Sequence, residues 1–266
     1  METDPRRWTE ALRASHDALV SLVVSLSPEQ LSDRSYCQGW DVSQVLSHLG
    51  SGAEISLTNL ERVLGQADPL GREDFGTIWG QWNALSPTDK ARRAVIWDRR
   101  LVSVLEGLSD EALDGLRMPF LGMDLDAATY ISLRLGEHAV HSWDLMVSFD
   151  PSSEILASSA DLLVDRLGFI VDRVGKAAEA AAPRRIAVTT SAPERHFVLA
   201  LTDKATLSEG GGDAATASAA GGGLRLPAAA FIRLCYGRLD PAHTPSTVET
   251  SGDADLEELR RVFPGF

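Results

Sequence analysis

A carboxylate and two histidines, Glu137, His138 and His141, fall close together in the apolar segment "RLGEHAVHSWDL". On a helix, residues four apart point the same way, while neighbours are turned by about 100°. Glu137 and His141 therefore share a face and can chelate one ion together, whereas His138 points in another direction. A buried carboxylate is costly unless it is paired, hydrogen-bonded or bound to metal, and the same face carries Arg134 and Leu145. The spacing is also common on ordinary helix surfaces, so a helix with polar residues on its outer side accounts for it as well.

His48 adds a third donor. In "GWDVSQVLSHLG" it stands between Leu46 and Leu49, close to an apolar stripe where a surface histidine is out of place. It is either a satisfied core residue or a ligand. A bundle that brings the two segments together would set His48 opposite Glu137 and His141. Three protein donors with one open position suit a catalytic Zn²⁺, whereas closed structural sites take four and favour thiolates. The same set can hold Fe²⁺ or Ni²⁺.

The elements that must position these residues are legible as four long helical segments. The first, about Trp8 to Leu26, has Leu12, Leu19, Leu22 and Val23 at helical spacing. The second starts at Asp41, an N-cap or first-turn carboxylate, carries the stripe Val42, Val45, Leu46 and Leu49, and runs to about Leu64. The third starts with Ser86 as N-cap and Pro87 as first helical residue and runs towards Leu108. The fourth covers about Ala127 to Val147. Such helices predict an antiparallel bundle. The linker from Leu64 to Leu85 contains "FGTIWGQWNALSP", whose aromatics read as a loop over one end of the bundle or as a pocket wall.

Beyond "SFDPSS" a fifth helix, about Glu154 to Ala180, reads as a connector. From Pro183 the pattern changes to strands: "RRIAVTTSAPERHFVLALTD" alternates at Ile186, Val188 and again at Phe197, Leu199, Leu201. A glycine-rich stretch, "EGGGDAATASAAGGG", lacks the Lys-Ser or Lys-Thr of a phosphate loop and reads as a mobile loop. The helix "LPAAAFIRLCYGRL", a short strand near Val248 and a last helix, "DADLEELRRVF", complete an α+β chain.

Composition narrows the partners. A net charge of −13 repels a phosphate backbone and no basic run offsets it, so nucleic acid is excluded. The charged start "METDPRRWTEALRASHD" does not read as a signal peptide and no run is long and apolar enough for a membrane span, which predicts a cytoplasmic protein. Cys37 and Cys235 belong to no CxxC and read as reduced thiols, although Cys37 precedes the helix that carries His48.

"GWDVSQVLSHLG", "IWGQWNALSP" and "RLGEHAVHSWDL", in this order and spacing, resemble the mycothiol-dependent maleylpyruvate isomerase family, a branch of the DinB-like metal-binding helical bundles. The resemblance covers roughly Arg6 to Val147. The second half, with "RLPAAAFIRLCYGRL" and "LRRVFPGF", is similar to the family's small sterol-carrier-like α+β domain. The implied layout is a DinB-like four-helix bundle over 1–150, a connecting helix over 151–182 and the small domain over 183–266. The implied metal ligands are His48, Glu137 and His141, with His138 left on the helix surface or supporting a ligand from behind. Asp144 is placed to orient His141, or is a surface acid. His16 reads as packing or pocket lining, and His196 and His243 have no evident partners.

The resemblance also implies chemistry. Coordination to the ion favours the anion of a thiol whose free pKa is near 8.5. The thiol would be mycothiol, so no protein cysteine is required. Its thiolate would add to an electrophilic small molecule, either releasing the adduct as an S-transferase does or, by rotation and elimination, isomerising the cis double bond of maleylpyruvate. A carboxylated acceptor calls for an arginine, and the resemblance points to Arg238, with Arg233 next; the plain alternative is a cation at a solvated helix end. A thiol-independent metal-dependent hydrolase is the competing enzyme reading. A non-enzymatic carrier with a structural metal is the third.

Overall fold

The computed structural model describes residues 3–120, 123–211 and 221–265. It divides into two compact units at Glu154–Ile155. In the first, α1 (Pro5–Ser25), α2 (Val42–Leu64), α4 (Pro87–Gly107) and α6 (Ala127–Met146) are the long helices, with α3 (Arg72–Asn83), α5 (Asp110–Gly115) and a hairpin of β1 (Arg117–Phe120) and β2 (Met123–Asp126) between them. Helix α2 packs against α4 and α6, and α1 against the same two. The starts of the ligand-bearing helices are fixed by caps. Asp41 accepts from the Gln44 amide while Gln44 accepts from the Asp41 amide, each at 2.8 Å, a reciprocal box that sets the phase of α2. Asp126 caps α6 through Thr129 at 2.7 Å.

The apolar stripe expected on α2 is the core of this unit. Val42, Val45, Leu46 and Leu49 are buried against Leu19, Leu31, Trp82, Ala91, Ala94 and Leu145. A glycine inside α2 has a packing reason here. A side chain at Gly50 would bring Cβ to 2.2 Å from Trp82 Cη2 and 2.8 Å from Ala94 Cα, so α2, α3 and α4 meet closely only because this position is glycine. Trp82 is held in place by its indole N–H, which donates to Glu54 at 2.7 Å.

The segment read as a linker between Leu64 and Leu85 is thus a helix, α3, over much of its length. Gly76 and Gly80 lower its intrinsic propensity, and the helix forms because Asp74 accepts from the Gly71 amide at its start and Trp82 is buried at its end.

The second unit is a five-stranded sheet in the order β5-β4-β3-β6-β7, formed by β3 (Arg184–Ser191), β4 (Arg195–Leu201), β5 (Ala205–Glu209), β6 (Gly222–Pro227) and β7 (Glu249–Gly252). β3 and β6 are parallel and the other neighbours antiparallel. The alternation at Ile186 and Val188 puts both side chains in the core with Leu199, Leu224 and Phe231. Helices α7 (Ala157–Leu163), α8 (Leu167–Val174) and α9 (Ala228–Cys235) pack on this sheet or on one another, and α10 (Leu256–Val262) closes the chain. The single connecting helix expected over 154–180 is therefore two short helices belonging to this unit. The backbone tightens to a 3₁₀ turn at Val164–Arg166, and α8 stops at Gly175, where a Cβ would lie 2.5 Å from that of Ala205. The centre of the glycine-rich stretch, 212–220, lies outside the described residues. No helix among the described residues is long and apolar enough to cross a membrane.

Candidate metal centre and its cavity

Helices α2 and α6 bring His48, Glu137 and His141 together, with one donor atom from each lying within 4.8 Å of the others. His48 Nε2 is 3.2 Å and His141 Nε2 3.8 Å from Glu137 Oε2, and the two imidazole centroids are 4.6 Å apart. Two borderline imidazoles and one carboxylate, converging from two helices, are a donor set that suits Zn²⁺ or a similar divalent ion. Burial alone would push the Glu137 carboxyl up, but the His48 hydrogen bond and the charges of His141, His48 and Arg134 outweigh it and hold the group below its usual value. Glu137 is thereby kept as the anion that a ligand must be.

Asp144 fixes the tautomer of His141. Its Oδ2 lies 2.9 Å from His141 Nδ1, and a carboxylate can only accept, so Nδ1 carries a proton and Nε2 is the nitrogen turned towards Glu137, the one that binds metal once deprotonated. Asp144 is fully buried, not a surface acid. Cys37 is near as well: its sulfur lies within 4.8 Å of donor atoms of His141 and Asp144. Its distance from the ligands in sequence does not carry over into space. Trp40 flanks the site, its ring 5.4 Å from that of His48 and stacked at 6.3 Å on that of His141.

His48 connects the donor cluster to a cavity of about 510 Å³, which it lines with Trp40, Gln44, Ser47, Ser51, Trp79, Trp82, Asn83 and Lys90. Of the two readings of the aromatic segment, the pocket wall is the one the geometry supports, since Trp79, Trp82 and Asn83 of α3 all face this space. Trp82 and Lys90 were not singled out in the sequence, and neither was Trp40.

His138 is neither on the helix surface nor at the ligand cluster. It is wholly buried, because α6 is covered on most of its circumference. Its Nε2 donates to Asp98 Oδ2 at 2.9 Å, and Ser15 Oγ is 2.7 Å from its Nδ1. His16 Nδ1 donates to the same Asp98 oxygen at 2.8 Å, and Arg134 joins Asp98 Oδ1 to the Leu49 carbonyl, each at 2.9 Å. Asp98 thus ties all four long helices behind the ligands. Burial pushes its carboxyl up, but His138, His16 and Arg134 prevail and hold it well below the usual range. Sequence offered one signal for it. Asp98 stands on the stripe of Ala91, Ala94, Leu101 and Leu105, where a lone acid requires partners.

In the second unit, Arg238 follows Gly237, whose φ of +72° turns the chain out of α9. Its half-buried guanidinium donates to the Tyr236 carbonyl at 2.6 Å. Arg233 is buried and donates to the His243 carbonyl at 2.7 Å, a structural bond. His243 itself pairs with Asp240 at 2.9 Å and His196 with Glu194 at 3.3 Å, so both have partners that the sequence did not reveal.

Two family profiles match the chain: the mycothiol maleylpyruvate isomerase N-terminal domain over residues 12–146 and the MDMPI C-terminal domain over residues 167–258. Among solved structures, the fold is similar to the mycothiol-dependent maleylpyruvate isomerase, at a TM-score of 0.65 and 13% identity over 95% of each chain. A histidine-to-alanine mutant of that isomerase matches with the same TM-score at 12% identity, again over 95% of each chain. No curated protein sequence matches the chain.

Proposed function

The chain belongs to the mycothiol maleylpyruvate isomerase family, a family of enzymes, and from that premise we propose a metal-dependent enzyme that uses mycothiol to attack an electrophilic small molecule. The isomerisation of maleylpyruvate is the leading reaction and S-transfer the related one. The observation that carries the reading is the convergence of His48, Glu137 and His141, with His48 also lining an open cavity. A divalent ion held by these three would keep a thiol in its nucleophilic thiolate form at neutral pH.

The chain's own residues divide the remaining tasks. Asp144 holds the His141 ring so that Nε2 is presented to the site. Trp40, Trp79 and Trp82 supply apolar walls that limit water, while Gln44, Ser47, Ser51 and Asn83 offer hydrogen bonds to a polar ligand. Carbon–sulfur bond formation turns the acceptor's double bond into a single bond with the charge on the adjoining enolate; rotation and expulsion of the same thiolate then give the trans isomer. Arg238 is proposed to hold a carboxylate of the acceptor.

The test is turnover of maleylpyruvate by zinc-loaded protein with and without mycothiol. Thiol-dependent isomerisation is expected. Hydrolysis that is indifferent to the thiol would favour a hydrolase, and no reaction at all would favour a carrier. The cleft of about 250 Å³ on the second unit speaks against an apolar cargo, since Thr189, Thr190, Ser191, Arg225, Thr247 and Glu249 make most of its lining.

A further inference from the structure

Lys90 is the one lysine in the lining of this cavity, and the donor cluster does not use it. It is 9% exposed, and what remains accessible borders the cavity shared with His48 and the tryptophans. Its ammonium has no hydrogen-bond or ion-pair partner among the described residues, although the chain carries a net charge of −13 and acids are abundant. Glu54, the acid bonded to the cavity's Trp82 at 2.7 Å, is also paired with Arg93 at 3.7 Å. Lys90 also stands in the first turn of α4, where the helix dipole opposes a cation. A buried lysine is ordinarily paired. This one is unpaired, and its ammonium is not among the fully buried polar atoms, so it stays within reach of an anion in the cavity.

We propose that Lys90 is the anion anchor of this cavity and binds a carboxylate of the acceptor. The inference rests on the reading of the cavity as the acceptor's site. It gives the helical unit a cation of its own for the acceptor, separate from the role given to Arg238. With Lys90 on α4 and the donors on α2 and α6, the acceptor would be held by one end at a fixed side of the cavity while its reactive carbon stays free. Lys90 is a specificity residue in this scheme, with no part in proton transfer.

The test is titration of maleate, and separately of its dimethyl ester, into full-length zinc-loaded protein, followed by intrinsic tryptophan fluorescence, without thiol and without turnover. In Lys90→Met the dissociation constant for maleate is expected to rise by about tenfold or more, the loss of one charge-assisted hydrogen bond, and in Lys90→Arg to stay within roughly threefold. The ester should bind alike to all three proteins, and zinc content should be unchanged. Unaltered maleate binding in Lys90→Met, no saturable maleate binding by the wild type, or an equal loss for acid and ester would overturn the assignment. Since no thiol is present, failure of mycothiol-dependent turnover would count against the proposed function while leaving this result to stand or fall separately.

Discussion

Asp144 decides how His141 can act, and the two residues make the first prediction. With Asp144→Asn the side chain can turn its amide towards Nδ1, and the tautomer that presents Nε2 is no longer imposed. Zinc affinity is expected to fall by roughly tenfold to a hundredfold, as for other supporting partners of metal-bound histidines, measured by competition with a chromogenic chelator. A second prediction separates neighbours. His138→Ala should retain its metal while Glu137→Ala and His141→Ala lose most of theirs; elemental analysis reads this directly, and equal loss in all three would contradict the ligand set. The four-residue spacing made the Glu137–His141 pair legible in sequence. The burial of His138 was not, because which sides of α6 are covered depends on α1 and α4, far away along the chain.

Helices α4 and α6 are joined by an ion pair whose worth can be measured. Removing Asp98 leaves the buried Arg134 without its counter-charge, so Asp98→Ala should cost about 3–5 kcal/mol in urea denaturation at neutral pH. The pH dependence follows from the sign of the shift. The folded carboxyl is held well below its ordinary value of 3.8, so its contribution is fully present above that value and is lost as pH falls through the folded pKa. The wild type should lose stability below about pH 4, and Asp98→Asn should show a shallower acid limb from a lower starting stability. At the junction of α2, α3 and α4, Gly50→Ala is expected to cost about 1–3 kcal/mol by overpacking against Trp82, and to reduce turnover because that indole forms a cavity wall. The four long helices were readable from caps and stripes, down to Ser86 and Pro87 at the start of α4. Helix α3 was not, since its glycines and surface aromatics resemble a loop until the partner that buries Trp82 is known.

For the molecule as a whole, the change from helical to alternating periodicity announced two kinds of structure, while the pairing of β3 with the distant β6 and the breaking of the segment before it into α7 and α8 depend on contacts that no local pattern records. If the second unit contributes to acceptor binding, Arg238→Ala should raise the KM for a carboxylated acceptor by about tenfold and leave thiol affinity unchanged, read from steady-state kinetics. The central claim is that the donors of α2 and α6 hold an ion open to an external thiol. The most direct test is the absorption spectrum of cobalt-substituted protein as mycothiol is added. A new sulfur-to-cobalt charge-transfer band is predicted, saturating at one thiol per chain and present equally in Cys37→Ala, which excludes the protein's own nearby sulfur as its source. A cobalt spectrum that mycothiol leaves unchanged, or a band that disappears with Cys37, would contradict the account.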